Sequence, residues 1–414
     1  MKKQLVPKCR FCNASLKQVF VDLGETPLAN SFLTREMIDN EEENFPLKAL
    51  VCNECYLVQL EEFETPKNIF SDYAYFSSYS KLFLNHAKNY VDMISDRLHI
   101  EQSSFVVEIA SNDGYLLQFF KQKNIPLLGI EPAKNVAKIA EDKGIETISE
   151  FFGKEFAEKL IKKHKKADLI ICNNVIAHVP KINDFVSGLK VLMSEKGVAT
   201  IEFPHLMELV KHNQFDTIYH EHFSYFSFFV MQRILEKMGL KVFDVEKIST
   251  HGGSLRLFCT HSENKVIKIQ ESVYDLLEFE KEKGMMEITY YQKFSKKVTS
   301  VINQFIEFCN DVKKEGKTIV GYGAPAKANT LLNCSKIKQD VIEYVVDLSP
   351  HKQGLYLPGS HIHIKSPEMI KKSKPDYVII FPWNLKEEVI KQIEFIKDWG
   401  GKFVIPIPKL QILD

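Results

Sequence analysis

The sequence predicts an α/β protein: two Rossmann-like sheets in series, preceded by a small metal-binding segment. Three observations lead there. Two Cys-x-x-Cys pairs stand near the N-terminus. From Phe105 onward, short apolar runs alternate with helix-length amphipathic stretches, the pattern of βαβ units and a parallel sheet. The same alternation resumes at Thr318, after a charged helical stretch from about residue 261 to 315 that reads as a bridge. The chain has 414 residues, 45% hydrophobic and 26% charged, long enough for two or three domains with cores that need no staples.

Charge and composition narrow the partners. Lys+Arg and Asp+Glu are both 54, a formal net charge of zero, which argues against a general grip on nucleic acid. No apolar run approaches the roughly 18 residues of a membrane span, so no membrane association is expected. The segment from Met1 to Lys8 has charge but no apolar core, so no secretory signal is expected. Eight cysteines in a chain of this length make no disulfide framework and point to a reducing cytoplasm.

The cysteines come first in chain order. Cys9-Arg10-Phe11-Cys12 and Cys52-Asn53-Glu54-Cys55 are two knuckles. Each sets two thiolates on one side of an ion, and four thiolates fill a tetrahedron with no position left for substrate. A structural zinc site on Cys9, Cys12, Cys52 and Cys55 is predicted. The competing reading, a nucleic-acid zinc ribbon, is disfavoured by the charge balance. The other cysteines (Cys172, Cys259, Cys309, Cys334) are scattered singly.

Next comes an aromatic stretch, Phe70 to Tyr79, then a helix from about Ser80 to Leu98. Phe105 to Ala110 reads as a buried strand, Ser111-Asn112-Asp113-Gly114 as a turn, and Tyr115 to Lys123 as a helix. Leu127 to Glu131 is the second strand and Ala133 to Lys143 its helix. A tight turn after the first strand lies where a parallel sheet opens its ligand crevice. Glu131, ending the second strand, can accept both hydroxyls of a ribose. That fits a nicotinamide dinucleotide or S-adenosylmethionine. The turn lacks the G-x-G-x-x-G that lets a pyrophosphate approach, which favours the phosphate-free methyl donor. Further apolar runs follow at Asp168 to Cys172 and Gly197 to Phe203, with Asn173, Asn174 and His178 at the same crevice edge. Lys241 to Ile248 and Ser254 to Thr260 form a late pair that could close a seven-stranded class I methyltransferase sheet.

Two further motifs carry chemistry. Tyr219-His220-Glu221-His222 is dense in titratable groups but lacks the H-E-x-x-H spacing of a metal helix. It suits an acid–base set: a histidine oriented by a carboxylate, beside a tyrosine. Gly321-Tyr322-Gly323-Ala324-Pro325-Ala326-Lys327 follows a strand and opens a helix whose first amides can hold a phosphate. Pro325 takes the place of a third glycine. Together the two loops suggest one site for a donor and one for a nucleotide-bearing acceptor.

The order of these parts resembles the nucleotide-deoxysugar C-methyltransferases over nearly the whole chain. The likeness rests on the cysteine quartet, Val107-Glu108-Ile109 with Asn112-Asp113-Gly114, Gly129-Ile130-Glu131-Pro132, Asn174-Val175-Ile176-Ala177-His178-Val179-Pro180, Tyr219-His220-Glu221-His222, His251-Gly252-Gly253-Ser254-Leu255-Arg256 and the Gly321 to Lys327 loop. Ala110-Ser111 stands where the family has Gly-Cys, a swap that keeps both side chains small.

The resemblance implies a zinc-binding domain over 1–72, a class I methyltransferase Rossmann-like domain over 73–262, and a helical bridge with a C-terminal Rossmann-like domain over 263–414. It implies S-adenosylmethionine as donor and a nucleotide-linked keto-sugar, lying between the last two domains, as acceptor. It assigns catalysis to Tyr219, Glu221, His222 and His178, with Tyr75 the best match for an upstream tyrosine and Tyr73 or Tyr79 as alternatives. Expected donor contacts are Glu108, Asn112, Gly114, Glu131, Pro132, Asn135, Phe152, Asn173 and Asn174. Expected acceptor contacts are Arg256, Gly323, Lys327 and Asn329. A monomer is expected.

Carbon–carbon bond formation needs a carbanion, and a C–H beside a ketone can be ionised as an enolate. In this scheme His222 is the base, held by Glu221, and Tyr219 or His178 donates to the enolate oxygen. The alternatives are an NAD-dependent nucleotide-sugar oxidoreductase, a sugar O-methyltransferase, and a zinc-ribbon scaffold without activity.

Overall fold

The computed structural model describes residues 6–70, 77–79 and 81–414. Tyr73 and Tyr75 lie outside them. The chain gathers into two compact units, each assembled from separate stretches. The first comprises Met1–Lys17, Cys52–Leu206 and Phe223–Glu287; the second comprises Gln18–Val51, Met207–His222 and Ile288–Asp414. Contacts thus gather differently from three consecutive domains: the 207–222 stretch, expected in the middle domain, belongs with the C-terminal residues.

The first unit is built on a seven-stranded sheet. Its order is Leu240–Ile248, Ser254–His261, Met193–Pro204, Ala167–Asn173, Val106–Ile109, Leu127–Ile130, Thr147–Ile148. Ser254–His261 runs antiparallel to both neighbours, and the other pairings are parallel. This is the class I methyltransferase order, closed by the expected late hairpin. Val106–Ile109 is buried on both faces, as a central parallel strand must be. Helix Lys81–Leu98 lays Ala87, Tyr90, Val91 and Ile94, one stripe at helical spacing, into a core shared with Phe120, Leu169 and Phe258. Strand order reverses beside Val106–Ile109, so the crevice opens at the 110–114 turn. Gly114 sits there at φ +74°, and an added Cβ would meet Ile145 Cδ1 at 2.5 Å. The glycine serves the turn and the packing of the next helix.

The charged stretch read as a bridge divides between the units. Helix Glu271–Glu282 belongs to the first. Its Glu280 is fully buried, accepting from the amides of Phe228 (2.7 Å) and Phe229 (2.8 Å) at the start of helix Phe228–Lys237 and facing His205 Nε2 at 2.6 Å. A carboxylate on a helix N-terminus is stabilised by the helix dipole. Helix Phe294–Lys314 belongs to the second unit, where it buries Phe294, Val298, Val301, Phe305 and Phe308 along one face.

The second unit holds a six-stranded sheet in the order Ile364–Lys365, Val345–Val346, Ile319–Tyr322, Tyr377–Ile380, Lys402–Ile405, Gln411–Leu413. All pairings are parallel except the last. Here too the order reverses beside the strand that feeds a glycine loop, Ile319–Tyr322. An antiparallel hairpin, Gln18–Thr26 with Phe45–Val51, also belongs to this unit, and its Phe20 stacks on Phe294 at 4.6 Å.

Candidate functional site

The cysteine quartet is assembled by two equivalent turns. Asn13 (φ +66°) and Tyr56 (φ +63°) follow the second cysteine of each pair in the left-handed region. Their amides bond the carbonyls of Cys9 and Cys52, both at 2.9 Å. The result brings the four sulfur atoms within 4.8 Å of one another, with Cys9–Cys55 and Cys12–Cys52 at 3.5 Å. A tetrahedron with metal–sulfur bonds of about 2.3 Å has edges of about 3.8 Å, so the cluster fits zinc. Hydrogen bonds from Cys52 and then Cys55 hold the Cys9 thiol far below its ordinary range, and Gln59 Nε2 donates to the same sulfur at 3.2 Å.

The crevice of the first unit is lined by carboxylates. Ala110, Asn112 and Gly114 all have positive φ. Ala110, where the resemblance leads to an expectation of glycine, therefore occupies a left-handed position, so its cost is backbone strain rather than side-chain size. Glu131 accepts from the Asn112 amide (3.0 Å) and the Ala133 amide (2.9 Å), leaving further lone pairs for hydroxyls. Gly129 is required by Ser111, whose Oγ lies 2.5 Å from where a Cβ would stand. Asn112 Oδ1 accepts from the Ser77 amide at 2.9 Å, and Ser78 bonds Asp113. Burial, and then Glu131, Asp113 and Glu202, push the Glu108 carboxyl well above its usual range. Glu131 is raised too, by burial.

Buried oxygens that are without a partner among the described residues gather on this edge: Glu108 Oε2, Ser111 Oγ, Asp113 Oδ1, Asn173 Oδ1 and Asn174 Oδ1. Such atoms are costly unless a ligand satisfies them. Their chemistry, acidic and acceptor-rich, fits a sulfonium-bearing nucleoside and opposes a pyrophosphate. Asn135 lies in the first turn of helix Lys134–Asp142, just after Pro132. Phe152 is partly buried, edge-on to Phe185 at 5.3 Å.

Arg256 has its charge answered within the sheet. It bonds Glu202 (2.7 Å from Nε) and Glu246 (2.9 Å from Nη1) and lies over the Tyr90 ring. His178 closes a 3₁₀ turn, with the Phe70 ring edge-on at 5.4 Å.

The Tyr219 to His222 run belongs to the second unit and folds as a turn, the His222 amide bonding the Tyr219 carbonyl at 2.9 Å. The two histidines diverge. His220 Nε2 reaches the Pro46 carbonyl at 3.3 Å beside the Phe45 ring, and burial lowers its pKa. His222 Nδ1 lies 2.9 Å from the Thr217 carbonyl, and Nε2 lies 2.9 Å from the Tyr219 hydroxyl. A carbonyl only accepts, so Nδ1 carries the proton and Nε2 is the basic nitrogen. The orienting partner is therefore the Thr217 carbonyl, where Glu221 was expected. Glu221 Oε1 accepts from Asn30 Nδ2 at 2.6 Å.

Around this turn stand Asp216, Trp383 and Thr330, which sequence reasoning missed, with Lys327 and Asn329, which it named as acceptor contacts. Asp216 is buried and accepts from Trp383 Nε1 at 2.7 Å; desolvation pushes its carboxyl up to about 6, against the pull of Lys327. Lys327 donates to Asn384 Oδ1 (2.7 Å) and lies over the Trp383 ring, its pKa lowered by burial. Thr330 bonds the Ile218 carbonyl and Asn329 the Ala29 carbonyl. In the second loop, Gly323 holds φ +86° with Pro382 Cδ at 2.6 Å from any added Cβ. The Ala324 amide donates to Asp347 Oδ2 at 2.7 Å, and Lys352 Nζ donates to the Ala324 carbonyl at 2.9 Å.

Comparison with known proteins now decides the family. A zinc binding domain profile matches residues 9–70, a methyltransferase domain profile residues 83–245, and a C-methyltransferase C-terminal domain profile residues 249–408. C-methyltransferase NovU of Streptomyces niveus is 35% identical over 409 residues, spanning 99% of this chain and 97% of its own. The chain belongs to the C-methyltransferase family.

Among solved structures, the PH0226 protein of Pyrococcus horikoshii OT3 covers 48% of this chain and 99% of its own at 14% identity, TM-score 0.38. Magnesium protoporphyrin IX methyltransferase of Synechocystis PCC 6803 covers 47% and 92% at 16%, TM-score 0.35. For this C-methyltransferase the acidic crevice is the methyltransferase-domain end of the machinery. The Tyr219 to His222 turn lies within the stretch matched by the methyltransferase domain profile, yet folds with the C-terminal unit. Among the described residues, no helix is long and apolar enough to cross a membrane.

Proposed function

We propose that this C-methyltransferase transfers a methyl group from S-adenosylmethionine to a ring carbon of a nucleotide-linked keto-sugar, by way of an enolate. The observation that carries the reading is the tautomer of His222, whose basic nitrogen is paired with a tyrosine hydroxyl. S-adenosylmethionine supplies an electrophilic methyl sulfonium when bound. Glu131 would hold its ribose, with Glu108, Asn112, Pro132, Asn135, Phe152, Asn173 and Asn174 along the crevice. The four cysteines would hold zinc as a closed structural site.

His222 Nε2 removes the proton from the carbon beside the acceptor ketone, and Nδ1 stays bonded to Thr217. The Tyr219 hydroxyl has two acceptors available in turn. At rest it bonds Nε2; with substrate present it turns to the ketone oxygen, which frees the base and stabilises the developing enolate. His178 is a second candidate donor, and Tyr75 a further substrate contact. Lys327 and Asn329 stand in the same unit as this turn and suit the nucleotide-linked end of the acceptor. Arg256, paired with Glu202 and Glu246, suits a positioning role better than direct contact.

The test uses labelled S-adenosylmethionine and a panel of nucleotide keto-sugars, with product mass and NMR. His222→Asn should lower methyl transfer by about 10²–10⁴-fold and leave donor affinity unchanged. Near-normal turnover in that variant, or a methyl found on oxygen, overturns the mechanism. Tight NAD binding with no donor binding would favour an oxidoreductase instead.

A further inference from the structure

We propose that Arg10, inside the first cysteine knuckle, is a positioning residue that locks the zinc site to the loop carrying His178 and to the chain leaving His222. Everything it touches lies in the first unit. Its backbone amide and Nε both donate to Gln59 Oε1, at 2.9 and 3.3 Å. The same Gln59 donates its own amide to Cys9 Sγ at 3.2 Å. One arm of the guanidinium donates to the Leu60 carbonyl. The other donates to the carbonyl of Pro180, two residues beyond His178, at 3.3 Å.

The Arg10 guanidinium also lies 5.4 Å from the ring of Phe223, the residue after His222. The Phe223 carbonyl accepts from the Leu60 amide at 3.1 Å, and strand Val58–Leu60 pairs with Ser224–Tyr225. A second clasp closes the same seam: Asn183 Nδ2 donates to the Phe11 carbonyl at 2.9 Å. Arg10 thus spends a planar fork of donors on two backbone carbonyls and an amide oxygen, in a geometry no lysine can reproduce in full. Any shift of the Cys9 knuckle pulls on Gln59, and through Arg10 on Pro180 and His178. The inference rests on the reading of His178 as a site residue, but its test does not need turnover.

The experiment takes the zinc-loaded full chain, labelled with ¹⁵N-histidine, with the His178 ring signals assigned by their loss in His178→Gln. Arg10→Met, with zinc content verified, should shift those signals and displace their titration midpoint. Arg10→Lys should restore part of the shift. Stripping zinc from the wild type should move the same signals, and stripping it from Arg10→Met should add little. Wild-type His178 signals in folded, zinc-bound Arg10→Met overturn the proposal. Should that variant not fold, Asn183→Ala is read in the same way, and unchanged His178 signals again overturn it. Failure of the enolate mechanism would show separately, as normal methyl transfer by His222→Asn.

Discussion

The loops at 110–114 and 321–325 occupy the same topological position, each beside the strand where its sheet reverses order, yet their polar groups end in different states. The first leaves Glu108, Ser111, Asp113, Asn173 and Asn174 with buried oxygens that are unpaired among the described residues. The second answers the backbone groups of its own loop. Asp347 takes the Ala324 amide that would face a phosphate and the Ser349 amide as well, while Lys352 takes the Ala324 carbonyl. Among the described residues, the unpaired buried oxygens near it are Asp216 Oδ1, Ser349 Oγ and Asn329 Oδ1, the last on the helix that the loop opens. A glycine-bearing turn at a switch point is therefore a ligand site only when its neighbours leave hydrogen bonds unmade.

The largest expected effect separates the two loops by ligand binding. Glu131→Ala should weaken S-adenosylmethionine binding by about 10²–10³-fold in calorimetry, because it removes charged hydrogen bonds to the loop and the ribose acceptor together. Asp347→Ala should leave that affinity unchanged. Equal losses in both variants would break the contrast.

Titration sharpens it next. The Asp216 carboxyl, raised from 3.8 to about 6, binds its proton more tightly folded than unfolded. Stability from this group should therefore fall as pH rises from about 4 to about 6 and stay lower above that window. Asp216→Asn removes the penalty. Its stability advantage over the wild type, read by denaturant unfolding, should grow across that window to about 3 kcal/mol at most. A constant difference from pH 4 to pH 7 would assign the charge elsewhere.

Two glycine-position variants test the backbone of each loop. Gly323→Ala combines a left-handed φ with a contact on a proline ring, and should cost about 2 kcal/mol in thermal or denaturant unfolding. Ala110→Gly relieves a left-handed alanine and should gain about 1 kcal/mol. A loss on Ala110→Gly would show that the Cβ has a packing role that outweighs the strain.

Much of this was legible in the residues alone. Strand runs such as Val106–Ile109 and the stripe Ala87, Tyr90, Val91, Ile94 follow from periodicity, because burying one face of a regular element requires it. The knuckles follow from spacing, because two residues between cysteines set both sulfurs on one ion. The orientation of His222 was not legible. A backbone carbonyl has no sequence signature, so Thr217 could not be told from any other residue, and Glu221, adjacent in sequence, drew the assignment instead. Asp216 and Glu280 were missed for a related reason: a lone buried acid reads as a surface residue until its partners, such as Trp383 for Asp216, converge on it from distant segments.

The order of residues by itself determined the parallel sheets, the cysteine quartet and the acidic first crevice. These depend on local period and spacing, which are properties of neighbours along the chain. Only the tertiary structure decided which nitrogen of His222 is basic, which unit owns the Tyr219 to His222 turn, and which glycine loop keeps its polar atoms unpaired. Those outcomes depend on which distant groups reach a hydrogen-bond distance first, and long-range closure is what the linear pattern does not encode.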